Sequence, residues 1–116
     1  MIIAVDFDGT LCTNAWPEIG APNYELINFL SERKRDYGDK LILWTMREGA
    51  DLLDAVYWCA NNGLTFDAVN DNIEDLKKRY NNNPRKVFAN WYIDDHNAEH
   101  FEDFPKGIYQ GGKPCF

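Results

Sequence analysis

The chain has 116 residues, of which 45% are hydrophobic and 15% aromatic, so we expect a single packed domain over residues 1–116 and exclude both disorder and a metal-stapled miniprotein. Its 12 basic and 19 acidic residues give a net charge of −7, which makes duplex nucleic acid an unlikely partner because such binding depends on a basic surface. The three cysteines form no Cys-x-x-Cys pair, and no apolar run is long enough for a membrane span or a signal sequence, so we expect a cytoplasmic protein with no membrane association and no disulfide framework.

Short apolar runs alternate with helical periodicity along the chain. Residues 1–5 predict a first buried strand. Residues 11–21 have no helical period, and we expect them to form an ordered loop or a small hairpin. Pro22 can open the first helix, which Gly38 follows at its carboxyl end; the residues on its apolar face are Leu26, Ile27 and Leu30.

The rest of the chain continues this alternation. We predict further strands over residues 41–44, 66–69 and 91–93 and a weak one over 107–109. A second helix before Gly63 would bury Leu52, Leu53, Val56 and Ala60, and a third, shorter helix capped by Asp71 or Asn72 would carry Ile73, Leu76 and Tyr80. This order predicts an α/β fold, a three-layer Rossmann-like sandwich with a central parallel sheet of about five strands and helices on both faces.

Polar residues follow the predicted strands where each one ends. Parallel strands place their carboxyl ends at one edge, where such sheets bind ligands. Carboxylates crowded together need a neutralising cation, and oxygen ligands without histidine or cysteine favour Mg²⁺ over zinc. The sequence therefore predicts a divalent metal site built from four carboxylates, those of Asp6, Asp8, Asp94 and Asp95. Thr45, Arg47 and Asn70 are expected at the same edge.

Several residues near this edge keep two interpretations each. Arg47 either pairs with Glu48 or Asp51 or contacts phosphate or substrate. His96 either begins a helix or contacts a leaving group. Trp16 lies in the irregular segment beside Asp6 and could act as a lid or a recognition aromatic, whereas the other tryptophans of the predicted elements, Trp44, Trp58 and Trp91, are expected in the core.

The segment Asp6-Phe7-Asp8-Gly9-Thr10-Leu11 resembles the first motif, DxDx[TV], of the haloacid dehalogenase superfamily of phosphohydrolases, and the resemblance spans almost the whole chain. Thr45 matches the Ser or Thr that closes strand two, and Asp94-Asp95 matches the acidic pair after strand four. Lys86 is our choice for the lysine ahead of that strand, with Lys77, Lys78 and Arg85 as rivals.

The resemblance implies a catalytic role for each matched residue. Asp6 would be the nucleophile that forms an aspartyl-phosphate, and Asp8 the general acid and then the general base. Mg²⁺ would be bound by Asp6, the main-chain carbonyl of Asp8 and the acidic pair, with Asp95 as the better direct ligand and Asp94 acting through water. The phosphate would be held by Thr45, Met46 and Lys86, and Arg47 is a further candidate.

The intervals between the motifs are too short for the cap domains that many members of this superfamily insert. We therefore expect a capless hydrolase with an open site, acting on a phosphorylated small-molecule or macromolecular substrate. A homo-oligomer, in which a neighbouring subunit covers the site, is a further hypothesis. Two alternatives stay open: a nucleotide or nucleic-acid end phosphatase, and a non-enzymatic signalling module in which Asp6 keeps its phosphate.

Overall fold

The computed structural model of the chain describes residues 1–83 and 86–95. These residues form a mixed α/β fold with three helices, six strands and the following order: β1 Ile2–Val5, β2 Cys12–Ala15, β3 Glu18–Pro22, α1 Tyr24–Tyr37, β4 Lys40–Leu43, α2 Gly49–Asn61, β5 Ala68–Val69, α3 Glu74–Tyr80 and β6 Trp91–Ile93. None of these helices combines the length and the apolar composition needed to cross a membrane. The weak strand predicted over 107–109, His96 and Arg85 lie outside the described residues.

The main sheet contains four parallel strands in the order β5-β4-β1-β6. The two central strands pair along their full length, from Ile2 opposite Lys40 to Val5 opposite Leu43, and β6 pairs on the other side, with Val5 opposite Ile93. The predicted parallel sheet is confirmed, although within residues 1–83 and 86–95 it has four strands, one fewer than the five or so expected.

Helices pack on both faces of this sheet, and the side chains of β1 alternate between the two faces. Ile3 and Val5 pack in a core cluster with α1 and α2. Ala4 points to the other face, where it packs in a second cluster with Ile73 and Val87. Buried on both faces, β1 has a continuous apolar sequence, as central strands of parallel sheets do.

The first helix begins after an asparagine cap and ends at a glycine. Asn23 caps it by accepting a hydrogen bond from the amide of Leu26 at 3.3 Å. Gly38 ends it in the left-handed conformation, at φ 68°, which glycine adopts without a steric penalty. Pro22, however, is the last residue of β3 and does not open the helix.

The buried faces of the other helices agree with the prediction only in part. In α2 the buried residues are Ala55 and Cys59, and the predicted Leu52 and Val56 pack half-buried against the same core. Leu53, however, is 57% exposed, and Ala60 is exposed. Near α3, the capping position belongs to Ile73, without a side-chain hydrogen bond. Asn72 is buried instead, and its side-chain oxygen accepts a hydrogen bond from the amide of Phe88.

The segment between β1 and α1 is an antiparallel hairpin made of β2 and β3, which agrees with the expected small hairpin. Its strands approach so closely that a Cβ atom added to Gly20 would lie 2.1 Å from the hydroxyl oxygen of Thr13. The same hydroxyl accepts a hydrogen bond from the amide of Ala21 at 2.9 Å. Glycine is therefore required at this crossing.

Candidate active site

The carboxyl ends of three neighbouring strands meet at Asp6. The Asp6 amide donates to the carbonyl of Ile93 at 2.8 Å, and the Trp44 amide donates to the carbonyl of Val5 at 2.8 Å. These bonds extend the sheet by one residue, so that the chain segments leaving β1, β4 and β6 emerge side by side. This is the edge at which the sequence predicts the site.

An open cleft with a volume of about 360 Å³ lies at this edge. We call it the acidic cleft; its lining residues are Asp6, Trp44, Thr45, Met46, Asp94 and Asp95. The first loop also approaches the acidic pair, because a Cβ added to Gly9 would lie 3.5 Å from that of Asp95. The predicted nucleophile, the threonine that follows β4 and both acidic residues are thus brought together. Trp44, expected in the core, is 41% exposed and lines this cleft.

The surroundings of Asp6 disfavour its negative charge. Burial is the main cause that raises its pKa above the usual 3.8, and the neighbouring charges of Asp8, Asp95 and Asp94 raise it further, against a backbone hydrogen bond at Phe7 that lowers it. The acidic cleft therefore has an excess of negative charge around Asp6.

This donor set suits a hard divalent cation. Asp6, Asp94 and Asp95 line one cleft, and carboxylate oxygens are the ligands that Mg²⁺ prefers. Within residues 1–83 and 86–95, no group of three acidic, histidine or cysteine side chains is arranged so that it could hold a metal ion. Mg²⁺ commonly uses only one or two carboxylates and takes its other ligands from water and substrate phosphate, so the residues fit a site of that kind.

Asp8 is held by Arg47. Both carboxylate oxygens accept hydrogen bonds from the guanidinium, from Nε at 2.8 Å and from Nη2 at 2.7 Å. Such a two-point pair fixes the orientation of the carboxylate as well as its position. The hydrogen bonds and the charge of Asp8 are the main causes that raise the pKa of Arg47 above its usual value.

The same guanidinium holds the hairpin. Arg47 is only 4% exposed, and it donates to the main-chain carbonyls of Pro17 at 3.1 Å and Glu18 at 2.9 Å. Arg47 was predicted either to contact substrate or to pair with a neighbouring acid. Its partners are instead Asp8 and the hairpin, which makes it a positioning residue for both.

Thr45 belongs to a small network at the end of β4. Its amide donates to the side-chain oxygen of Asn70 at 2.8 Å, and its hydroxyl accepts from the amide of Arg47 at 3.1 Å. Asn70 thus supports the loop that carries Thr45 and Met46. Its left-handed backbone, at φ 50°, is one that asparagine tolerates better than most residues.

A second cleft, with a volume of about 630 Å³, adjoins Asp6 on the side of the hairpin. We call it the hairpin cleft; its lining residues are Asp6, Asp8, Asn14, Trp16, Thr45, Met46 and Arg47. Trp16, at the tip of the hairpin, is 62% exposed, and Met46 is fully exposed. The hairpin thus forms one wall of the candidate site.

The fold has a solved relative. A conserved protein coded by a locus from Bacteroides thetaiotaomicron matches this chain with a TM-score of 0.68 and 36% sequence identity, over 85% of this chain and 78% of that one. The chain belongs to the family of that conserved protein. No family model matches the chain, and no curated protein matches it significantly. Membership of this family supports the α/β fold and assigns no activity, so the function must be argued from the clefts.

Among the described residues, no contact places Lys86 at the candidate site. It is exposed, its carbonyl accepts from the Asn72 side chain at 3.4 Å, and it lines neither the acidic nor the hairpin cleft. Of its rivals, Lys77 pairs with Asp71 at 2.9 Å and Glu74 at 3.0 Å. The assignment of a catalytic lysine stays a prediction.

Two further side chains complete the first loop. Burial is the main cause that raises the pKa of the Cys12 thiol, which disfavours the thiolate and any nucleophilic role. Thr10 is buried, and its hydroxyl has no hydrogen-bond partner in the part of the chain that the structure describes. Both side chains therefore belong to the packing beneath the loop.

The sequence prediction missed the role of Arg47 towards the hairpin and the contribution of Asn14 to the cleft. The available signal was the predicted hairpin itself, since a hairpin directly after the nucleophile must fold back beside it.

Proposed function

We propose that this protein is a capless Mg²⁺-dependent phosphomonoester hydrolase that resembles the haloacid dehalogenase superfamily, with a Rossmann-like domain as its scaffold. The observation that carries the proposal is the setting of Asp6, a carboxylate with a raised pKa that shares an open cleft with Thr45 and an acidic pair. A second carboxylate, Asp8, is fixed beside it by Arg47. One nucleophile and one proton carrier are what phosphoryl transfer through a covalent intermediate requires.

In the first step, an oxygen of Asp6 attacks the phosphorus of the ester and the bond to the leaving oxygen breaks. Asp8, protonated at this stage, gives its proton to that oxygen. In the second step, Asp8 accepts a proton from a water molecule, which attacks the aspartyl-phosphate and releases inorganic phosphate from Asp6.

Arg47 positions Asp8 for both proton transfers. Its two hydrogen bonds fix the carboxylate and stabilise its ionised form, which is the form that remains after the first transfer. The same bonds hold the carboxylate in one orientation, ready to accept a proton from water in the second step. Arg47 acts through Asp8 and is a positioning residue.

The remaining residues bind the phosphate and limit charge repulsion. The Thr45 hydroxyl and the main-chain amide of Met46 would hold phosphate oxygens, as Lys86 would if it reaches the site. Asp6, Asp95 and the main-chain carbonyl of Asp8 would hold Mg²⁺ directly, and Asp94 would act through water. When bound, this ion supplies the positive charge that lets an anionic ester approach an anionic nucleophile.

The test compares Asp6→Asn with the wild type on a generic aryl phosphate in the presence of Mg²⁺. Asp54, an exposed acid on α2, provides the matched control Asp54→Asn, which changes the net charge equally. We expect Asp6→Asn to lose turnover and Asp54→Asn to keep the turnover of the wild type. Equal turnover by Asp6→Asn would contradict the proposal.

The signalling alternative makes a different prediction about the phosphorylated protein. A phosphatase loses label from Asp6 within its own turnover time, since Asp8 is placed to activate water. Label that persists on wild-type Asp6 over many substrate half-lives would favour a signalling module. Quenching the reaction in acid and following the phosphorylated peptide by mass spectrometry separates the two.

A further inference from the structure

Two large apolar side chains are exposed at the candidate active site. Trp16 is 62% exposed and Met46 is fully exposed, and both line the hairpin cleft with Asp6. Exposed apolar surface beside a polar site is a feature of ligand-binding grooves. The indole offers a flat face for stacking, and methionine adapts its flexible side chain to an aromatic neighbour.

The position of Trp16 is linked to the reacting groups. Pro17 and Glu18, which follow it directly, accept hydrogen bonds from Arg47, and the same guanidinium holds Asp8. The tip of the hairpin is therefore tied to the general acid and base through one buried side chain. A ligand that contacts the indole while its phosphate lies at Asp6 meets a prearranged wall, which limits the entropy lost on binding.

We propose that Trp16 and Met46 form a recognition platform for a planar aromatic or heteroaromatic ring carried by the leaving group of the phosphomonoester. This inference rests on the proposed phosphatase function and specifies its substrate class. The ring would stack on Trp16 across the hairpin cleft while the phosphate occupies the acidic cleft at Asp6. A ring of this kind is found on a nucleoside monophosphate or on a simple aryl-bearing ester.

The charges at the site favour a small substrate with a single phosphate. Arg47 is the cation among the residues that line the hairpin cleft, and it is engaged with Asp8. The chain has a net charge of −7, and binding of an extended polyanion needs several cations along its path. An oligonucleotide is therefore disfavoured relative to a monophosphate that carries one ring.

The experiment uses two pairs of esters that keep the same kind of leaving oxygen within each pair. Adenosine 5′-phosphate is compared with ribose 5-phosphate, and 2-phenylethyl phosphate with 2-cyclohexylethyl phosphate. The first pair adds a base, and the second replaces a planar ring by a puckered one of similar size. A preference for the planar member of both pairs would show that the platform recognises any planar ring. A preference in the first pair alone would show that it recognises a nucleobase.

We expect kcat/KM of the wild type to favour the planar ring by about tenfold, as for one stacked base. Trp16→Ala should bring this ratio close to one because kcat/KM falls more for the planar-ring ester than for its partner without the planar ring, whereas Trp16→Phe should keep most of the preference. Tyr57→Ala is the matched control, because Tyr57 is a similarly exposed aromatic on α2. A ratio near one in the wild type, or an equal loss for both members of a pair in Trp16→Ala, would overturn the platform.

Calorimetric binding separates this failure from failure of the proposed function. If the wild type hydrolyses none of the four esters, the phosphatase proposal is wrong. Titration of adenosine 5′-phosphate and ribose 5-phosphate into wild type and Trp16→Ala then decides the platform. Tighter binding of the nucleotide that disappears in Trp16→Ala supports it, and equal binding of both ligands refutes it.

Discussion

The contact between Arg47 and Asp8 should couple stability to catalysis. The guanidinium makes two hydrogen bonds to the carboxylate and two to carbonyls of the hairpin. Arg47→Met removes all four and leaves Asp8, whose side chain is 19% exposed, without this partner. Arg47→Lys keeps the charge but cannot reproduce the planar fork.

The expected magnitudes follow from the burial of the pair. Removing one partner of a buried ion pair costs about 3–5 kcal/mol, and since water still reaches part of Asp8 we expect about 3 kcal/mol for Arg47→Met. Arg47→Lys should cost about 1–2 kcal/mol because it loses some of these hydrogen bonds. Domains of this size have a total stability of about 5–15 kcal/mol, so both variants should still fold.

Urea unfolding followed by circular dichroism measures these changes, and a double-mutant cycle with Asp8→Asn isolates the pair. We expect a coupling of about 2 kcal/mol, within the range for residues in contact. Arg35→Met is the control, because the Arg35–Asp36 pair is exposed, and it should leave the unfolding midpoint unchanged. A coupling below about 0.5 kcal/mol would refute the assigned role.

Turnover gives an independent readout of the same contact. Because Arg47 orients Asp8 and does not bind the phosphate, Arg47→Lys should lower kcat by about 10²-fold, as expected when a general acid or base is misplaced, with little change in KM. A large rise in KM with unchanged kcat would indicate that Arg47 binds substrate instead.

Three further predictions concern the acidic cleft and the loop beneath it. The raised pKa of Asp6 means that the protonated side chain stabilises the fold below the unfolded pKa near 3.8 and that this contribution is lost as the pH rises through the folded pKa. At pH 7, metal-free Asp6→Asn should therefore melt at a higher temperature than the wild type, and the difference should close towards pH 3.8. A lower melting temperature for Asp6→Asn at pH 7 would contradict this. Mg²⁺ at about a hundredfold excess over its Kd should stabilise the wild type by about 2.7 kcal/mol in a thermal shift assay. Asp95→Asn should lose most of this stabilisation, and the control Asp54→Asn should keep it. Equal stabilisation of the wild type and both variants would count against the metal site. Thr10→Val should leave the free energy of unfolding unchanged or raise it by up to about 1 kcal/mol, because a buried hydroxyl without a partner among the described residues is replaced by a methyl group; a loss above about 1 kcal/mol would indicate that the hydroxyl has a partner.

The parts of the fold that follow from local pattern could be predicted from the sequence. The strand at 91–93 matches the prediction, and the end of α1 at Gly38 follows from the left-handed backbone that glycine favours. Errors arose where tertiary packing decides. In α2 the predicted Leu52 and Val56 pack against the core beside the fully buried Ala55 and Cys59, but Leu53 is exposed. Apolar composition alone does not show which leucine lies on the buried face.

The candidate site divides in the same way. Residues that directly follow strands, such as Asp6, Thr45 and Asp95, could be placed from topology, because parallel strands end at a common edge. The pairing of Arg47 with Asp8 could not: the two residues lie 39 positions apart along the chain, and topology places both at this edge without deciding which side chains bond to each other. The role of Lys86 stays a prediction, because a motif position does not decide whether its side chain reaches the cleft.

The close approach of the strands at Gly20 divides the hairpin into a sterically restricted base and an exposed tip. A side chain at Gly20 would collide with Thr13, so that position has no freedom to change. Trp16 and Asn14, by contrast, project into the hairpin cleft and are exposed. Laboratory selection for new specificity should therefore randomise these tip positions and leave the crossing intact, so that a library explores new substrates without sacrificing the scaffold.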